Sequence, residues 1–341
     1  METINETQGR KLAAVIIMNW NGARLLEQFL PSVCRYTNAE MADVIVADNG
    51  STDNSLQLLH NRFPEVKTMP FKENHGYAGG YNKAIALSSE YRYVVLLNSD
   101  VEVTPHWLEP VIDYMEQHPD VMACQPKILS YADRNKFEYA GAAGGFIDCH
   151  GFPYCRGRIF DSIEDDHGQY DGTPANVFWA SGAAMFVRTE SYLSLGGLDD
   201  RFFAHMEEID LCWRMHLASG RVAVVPQSTI YHLGGGSLPA SNPRKTYLNF
   251  RNNLLLMHKN MPRREGRRML FVRRLYDSLA FFMFVAKLQW GNARAVLKAH
   301  RDFRRMKKLY TSFPGRNLLG SFPGTTCNII IDYYLRHRRR F

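Results

Sequence analysis

Asp100 and Glu102 form a D-x-E pair at the end of the apolar run in LLNSDVEV (96–103). Carboxylate oxygens are hard ligands, and at a strand end they suit Mg2+ or Mn2+ bridging protein to a diphosphate. Such a cation offsets the charge that gathers on a departing nucleoside diphosphate. A solvent-exposed acidic turn is the other meaning of the same two residues. His232 closes a later apolar run in IYHLGGGS, where a neutral imidazole either completes a metal site or simply ends a strand. In VADNGSTDNS (46–55), Asp48, Asn49, Ser51 and Asp53 have the groups to satisfy a nucleobase and ribose, or to cap the next helix. Gly76, Gly79 and Gly80 of NHGYAGGYNKA (74–84) permit close backbone approach and offer free amides to a phosphate. That loop matches neither G-x-G-x-x-G nor G-x-x-x-x-G-K-[ST], which argues against dinucleotide and P-loop readings. Glu207, Glu208 and Asp210 sit at a helix start, where they either complement the helix dipole or supply a general base for an acceptor hydroxyl.

The elements that must position these groups follow from periodicity. Runs rich in Val, Ile and Leu at 12–19, 43–50, 93–100 and 221–232 read as buried strands. Helical patterns cover 23–36, 55–63, 78–90 and 106–118. This alternation predicts an α/β fold with a mainly parallel sheet flanked by helices. Each early strand ends in polar residues, namely Asn19 and Asn21, Asp48 to Asp53, and Asn98 to Asp100. Ligands of open α/β sheets bind beyond the carboxyl ends of strands, so three segments aim at one crevice. Residues 130–178 lack periodicity and are expected to form loops and short strands that wall an acceptor site.

Beyond residue 244 the pattern is helical and basic. Residues 1–243 carry 18 Lys/Arg and 30 Asp/Glu, whereas residues 244–341 carry 23 and 4. The second zone suits a phosphate-rich partner, and its aromatic and aliphatic residues favour an anionic membrane surface over a bare charged tail. No nucleic-acid motif accompanies it. Its most apolar part, 275–290, is short and interrupted by Asp277 and Lys287, so a spanning helix is not expected. The polar start METINETQGRK is unlike a secretory signal, and a cytoplasmic protein is expected. Six scattered cysteines without a CxxC pair are expected to be reduced thiols, the nearby Cys149 and Cys155 included.

Taken in order, NWNG (19–22), VADNGSTDNS, ENHGYAGGYN, LLNSDVEV, ASGAAMFVRTESYLSLGGLDDRFF (180–203), EEIDLCWR (207–214) and VPQSTIYHLGGGS resemble the family 2 inverting glycosyltransferases over roughly residues 12–260. NWNG and KTYLNFRNNLLLMHKN (245–260) look most like the rhamnosyltransferase-like branch that builds bacterial surface polysaccharide. The resemblance implies a GT-A-like fold in which Asp48 recognises the nucleobase. It implies Asp100 as the main ligand of Mg2+ or Mn2+, joined by His232, with Glu102 beside it. Glu208 is the favoured base and Glu207 its competitor, with Asp210 in the same acidic motif. Asn19, Asn21, Asn49, Ser51, Asp53, Asn74, Gly76, Gly79, Asn82, Asn98, Ser99 and Arg251 are assigned to the donor side, and Trp179 and Gly182 to the acceptor side. The implied reaction moves a sugar from a nucleotide-diphosphate donor to a glycan or polyprenyl-linked acceptor with inversion. Residues 10–260 are expected to be catalytic, and 261–341 a basic helical extension at the inner membrane face. A metal-dependent nucleotidyltransferase and a non-catalytic sugar-nucleotide-binding protein are the alternatives.

Overall fold

A computed structural model describes residues 11–234 and 242–341. Residue 10, the first of the expected catalytic unit, and residues 235–237 of the IYHLGGGS motif lie outside the described residues. The chain opens with β1 (Ala13–Asn19), α1 (Ala23–Tyr36), β2 (Ala42–Asp48), α2 (Ser55–Arg62), β3 (Lys67–Pro70), α3 (Gly76–Ala86) and β4 (Tyr93–Asn98). The expected strand and helix alternation is therefore present. Next come β5 (Val101–Val103), α4 (Glu109–Gln117) and β6 (Val121–Ser130). The aperiodic stretch supplies β7 (Gly145–Ile147), β8 (Pro153–Cys155), β9 (Arg158–Ile159) and β10 (Ser162–Ile163), which make a small antiparallel sheet. It is followed by β11 (Ala175–Asn176), β12 (Ala184–Arg188), α5 (Thr189–Ser194), α6 (Glu207–Leu217) and β13 (Arg221–His232). The basic segment forms α7 (Pro243–Asn260), α8 (Arg263–Ala286), α9 (Trp290–Met306) and α10 (Ile329–Tyr334).

The large sheet runs β11-β13-β6-β12-β4-β1-β2-β3, with β5 paired to β13. The β3-β2-β1-β4 half is parallel, while β12 runs antiparallel between β4 and β6. Helices cover both faces of the parallel half, which is why β1 reads AAVIIMN with no polar alternation. Its side chains still divide with period two. Ala13, Val15 and Ile17 join the cluster holding Leu26, Leu30 and Val33 of α1, while Ala14 and Ile16 join Tyr81 and Ile85 of α3.

One pairing fixes the geometry of the site. β5 folds back onto β13 with Val101 opposite His232 and Glu102 opposite Tyr231. Asp100 is left at the corner between β4 and β5, and its carbonyl accepts the Leu233 N–H at 3.0 Å.

The C-terminal segment packs into the same core. Phe303, Tyr310, Leu318 and Ile329 are buried among residues of the sheet and α6. The Ile329 N–H donates to Asp148 at 3.1 Å, and the Phe341 ring lies 4.9 Å from Phe146. Among the described residues all cysteines are free, and no helix is long and apolar enough to cross a membrane.

Candidate active site

The floor of the crevice is a set of polar side chains at the ends of β1 and β2, brought level by a register that sets Asn19 opposite Asp48. The Asn19 amide donates to Asp48 at 2.8 Å and to the Ser51 hydroxyl at 3.2 Å, and the Ser51 N–H donates to Asp48 at 2.9 Å. Asn21 accepts the Thr52 N–H at 2.7 Å. Asn49 donates to Asn74 and to the Gly76 carbonyl, both at 3.0 Å, and accepts the His75 N–H at 2.9 Å. These bonds lace the turn after β2 to the loop before α3. Gly80 makes the closeness possible, because a Cβ there would stand 2.8 Å from the Met18 sulfur and 3.0 Å from the Asn49 amide. Gly76, at φ +72°, starts α3 facing open space. Asp48 is buried with both oxygens engaged, yet each carboxylate oxygen has a further lone pair for a ligand.

Two members assigned to the donor side have other partners. Asp53 accepts N–H groups from Ala23 and Ser55, each at 3.0 Å, and so ties together the starts of α1 and α2. Asn82 donates to the Leu198 carbonyl at 2.8 Å and accepts from the Leu198 N–H at 2.9 Å and the Tyr192 hydroxyl at 2.7 Å. Its amide fastens the GGLDD loop to α3, with the oxygen accepting two of these bonds.

At the β4–β5 corner, Asp100 Oδ1 lies 3.1 Å from His232 Nε2. Asn98 stands 3.5 Å from the same ring nitrogen, and Ser99 is half-buried beside it in the corner. Glu138 Oε1 lies 3.5 Å from the other ring nitrogen. Burial opposes a charge on the ring, but the two flanking carboxylates outweigh it and hold its pKa up at about 10. Burial works against ionisation of Asp100 as well, and His232 reverses that, leaving its carboxyl below the usual range. A separation of 3.1 Å is also that of two neighbouring ligands on an octahedral cation with bonds of about 2.1 Å. The hard oxygen, the imidazole once a cation has displaced its Nε2 proton, and the supporting carboxylate on its far side are a donor set that fits Mg2+ or Mn2+. Glu102 does not join them. It pairs with Arg134 at 2.7 Å, whose guanidinium lies over the Tyr231 ring at 4.3 Å. Glu138 escaped sequence reasoning because it is one acid in an aperiodic stretch, with no spacing to mark it.

Asp148, Cys149 and His150 also bring ligand atoms within 4.8 Å of one another. The Asp148 carboxylate there already accepts the N–H groups of His150, Phe152 and Ile329, so it ties the β7–β8 turn to the C-terminal segment.

The third part of the site is the start of α6. Tyr77 donates its hydroxyl to the Gly182 carbonyl at 3.0 Å, and a Cβ on Gly182 would lie 2.7 Å from that hydroxyl and 4.0 Å from Glu208 Cβ. Glu208 therefore stands on a wall made by Tyr77 and Gly182. It is partly open to solvent, but deep enough that burial lifts its pKa to about 7. Glu207 is buried, one of its oxygens has no partner, and burial together with the Glu208 charge pushes its pKa well up.

Asp210 has a different job from the one expected. Its carboxylate is fully buried between Arg214 and Lys259, both at 2.8 Å, and accepts from Asn260 at 2.7 Å. Burial alone would raise its pKa, but the two cations bring it below the usual range, and the group anchors α6 to α7. Trp179 is also a core residue instead of an acceptor surface. Its indole donates to the Phe146 carbonyl at 2.8 Å and lies where a Cβ on Gly145 would be only 2.1 Å away.

The loop entering α6 is strained, with Phe203, His205 and Met206 at φ of 68°, 69° and 74°. Residues at such angles cost about 1–3 kcal/mol each and persist only where surrounding bonds impose them. The bonds come from α7. Arg251 donates to the carbonyls of Arg201 at 3.2 Å and Phe202 at 2.7 Å. Asn252 donates to Phe202, Ala204 and His205 at 2.9, 2.8 and 2.7 Å. Arg251 and Asn252, expected on a diphosphate of donor or acceptor, instead clamp this loop. Asn252→Ala is expected to lower kcat by about 10²-fold with donor KM little changed, since small misplacement of a reacting group costs that much. Steady-state kinetics beside a thermal melt check this; a change in KM alone would contradict a positioning role.

A mainly parallel sheet with polar residues at its carboxyl ends and a carboxylate on the facing wall is a GT-A-like arrangement. The family model for glycosyl transferase family 2 matches residues 14–184, and the chain belongs to that family and is a glycosyltransferase. It is 28% identical over 235 residues to an N-acetylglucosaminyl-diphospho-decaprenol L-rhamnosyltransferase of Mycobacterium tuberculosis, covering 64% of this chain and 75% of the relative. Among solved structures it is similar to S. aureus TarS (1-349) in complex with UDP-GlcNAc, with TM-score 0.57, 16% identity and coverage of 86% of this chain and 80% of that one. It is also similar to a mannosyltransferase from Pyrobaculum calidifontis in complex with GDP-Man and Mn2+, with TM-score 0.51, 14% identity and coverage of 88% and 85%. At these identities the structural likenesses establish the fold.

Proposed function

We propose that this enzyme transfers a sugar, rhamnose by analogy with its mycobacterial relative, from a nucleotide-diphosphate donor to a polyprenyl-linked sugar at the inner face of the cell membrane, in the synthesis of surface polysaccharide. Residues 10–260 act as the catalytic unit and 261–341 as a basic helical extension docked on it. The nucleoside lies over the ends of β1 and β2, with Asp48 reading the base, and the diphosphate extends toward the β4–β5 corner. Asp100 and His232 would hold Mg2+ or Mn2+, which supplies charge compensation for the leaving diphosphate. Glu208 takes the proton of the acceptor hydroxyl, whose oxygen attacks the anomeric carbon from the face opposite the diphosphate. The bond to the diphosphate breaks as the new glycosidic bond forms, which inverts the centre.

The observation that carries this reading is the Asp100–His232 pair, 3.1 Å apart at the ends of the strands that form the crevice. The test is an assay of purified protein with Mg2+ or Mn2+, a panel of nucleotide sugars and a polyprenyl-diphosphate N-acetylglucosamine acceptor. Release of nucleoside diphosphate with a lengthened acceptor is expected. Pyrophosphate released from a nucleoside triphosphate would mark a nucleotidyltransferase instead, and binding of a sugar nucleotide without turnover would mark a binding protein.

A further inference from the structure

Helix α8 is built inside out. Its buried face carries Gly266, Arg273 and Asp277, with Arg273 3.3 Å from Asp277, and His300 of α9 reaching Asp277 at 2.9 Å. Its outward face carries Phe271, Leu275, Leu279 and Phe282, each between 57% and 64% exposed. Their spacing of four, four and three residues keeps them on one stripe of the helix. An apolar core helix would present these faces the other way round, and the isolated apolar residues common on protein surfaces do not line up like this.

The charges around the stripe identify what covers it. Arg264, Arg267 and Arg268 lie on the same face one to two turns before Phe271, and all three are exposed. Trp290, more than half exposed, lies just past the helix end. Across residues 263–308 there are fourteen Lys or Arg and three acids. A second copy of this chain placed face to face against α8 would bring two arginine-rich surfaces together with only the exposed Glu265 of each helix to offset them. The rest of the chain, residues 1–243, has 30 acids against 18 bases, so an anionic surface would attract the α8 side and repel the other. Anionic headgroups complement the arginines, and the acyl boundary takes the Phe and Leu side chains, as for a helix lying in the plane of the interface. No described helix can cross the bilayer, so the helix is suited to lying on it.

We propose that the exposed face of α8 docks this enzyme on the anionic leaflet of a membrane, seating Phe271, Leu275, Leu279 and Phe282 among the acyl chains with the arginines at the headgroups. The inference rests on the polyprenyl-linked acceptor reading for its purpose, and on the helix face alone for its binding. Vesicles of phosphatidylcholine with phosphatidylglycerol, sedimented with the full chain, are the probe. Binding is expected to be at least tenfold stronger than to pure phosphatidylcholine and to weaken as salt is raised. Leu275→Glu with Leu279→Glu, both at exposed positions, is expected to lower binding at least tenfold with an unchanged thermal melt and unchanged nucleoside-diphosphate release using a short-chain, water-soluble acceptor. Equal sedimentation of wild type and double variant overturns the proposal. A wild-type dimer that the double variant dissolves, without vesicle binding, assigns the stripe to a second copy and overturns it too, as does retention on DNA in place of vesicles. Loss of vesicle binding with no transfer by the wild type to any acceptor would leave the docking surface standing and remove the acceptor reading.

Discussion

Glu208→Gln is expected to lower kcat by about 10³-fold, within the 10²–10⁴ range of general-base contributions, while the protein melts as before and still binds donor. The glutamine keeps the size and hydrogen-bonding shape of the side chain but has no basic oxygen to take the acceptor proton. Geometry favours Glu208 over its neighbour, because Glu208 stands on the Tyr77–Gly182 wall and is partly open, whereas Glu207 is buried. The same assignment sets a pH dependence. Glu207, Tyr77 and Cys212 are the titratable groups that interact with Glu208, and burial puts its own pKa at about 7. A base must be ionised to act, so kcat/KM should rise about tenfold per pH unit below 7 and level off above it. The Gln variant should lose that inflection along with the rate. A Glu207→Gln enzyme with the larger loss and the missing inflection would transfer the role to Glu207.

The difference between what the chain's order of residues reveals and what the fold adds is clearest at particular side chains. The parallel strands were legible because burial on both faces demands uninterrupted Val, Ile and Leu, and runs such as that of β1 have few other uses. Polar groups at the strand ends were legible for the same reason. Whether such a group faces a ligand or serves the protein was not. Asn82 and Arg251 look like ligand contacts in their motifs, yet their partners lie 116 and about 50 residues away on other elements. Asp210 did carry a local signal, the basic Arg214 four residues on, which is the spacing of a helical ion pair. The strained loop before α6 could not be read, since Phe203 and Met206 rarely take positive φ and His205 is the one residue of the three enriched there. The fold imposes those angles through α7, so the function of the Arg251–Asn252 pair exists only in three dimensions. The D-x-E motif shows the reverse case. Its two acids part company in the fold, because the pairing of β5 with β13 turned Glu102 toward Arg134 and left Asp100 to meet His232.

That pairing separates the two carboxylates of the D-x-E motif by what each substitution removes. Asp100→Ala is expected to lower transfer by about 10³-fold or more, because a cation at this corner contributes several kcal/mol to stabilising the charge of the departing diphosphate. It should also abolish the rise in melting temperature that Mn2+ gives with a nucleoside diphosphate, a binding readout that needs no turnover. Glu102→Ala should keep both the activity and the thermal shift, since its carboxylate is held by Arg134 at 2.7 Å and a surface pair of this kind contributes about 0–1 kcal/mol to stability. Glu138→Gln should fall between the two. It keeps a polar group of the same size 3.5 Å from the imidazole while removing the charge that supports the ring from its far side, and such supporting partners are worth about 10–100-fold in metal affinity or activity. Equal losses in the Asp100 and Glu102 variants would restore the simple D-x-E site. An Mn2+ shift that survives Asp100→Ala would instead move the cation away from this corner, because Glu138 lies beside the other ring nitrogen and His232 alone offers no hard oxygen there.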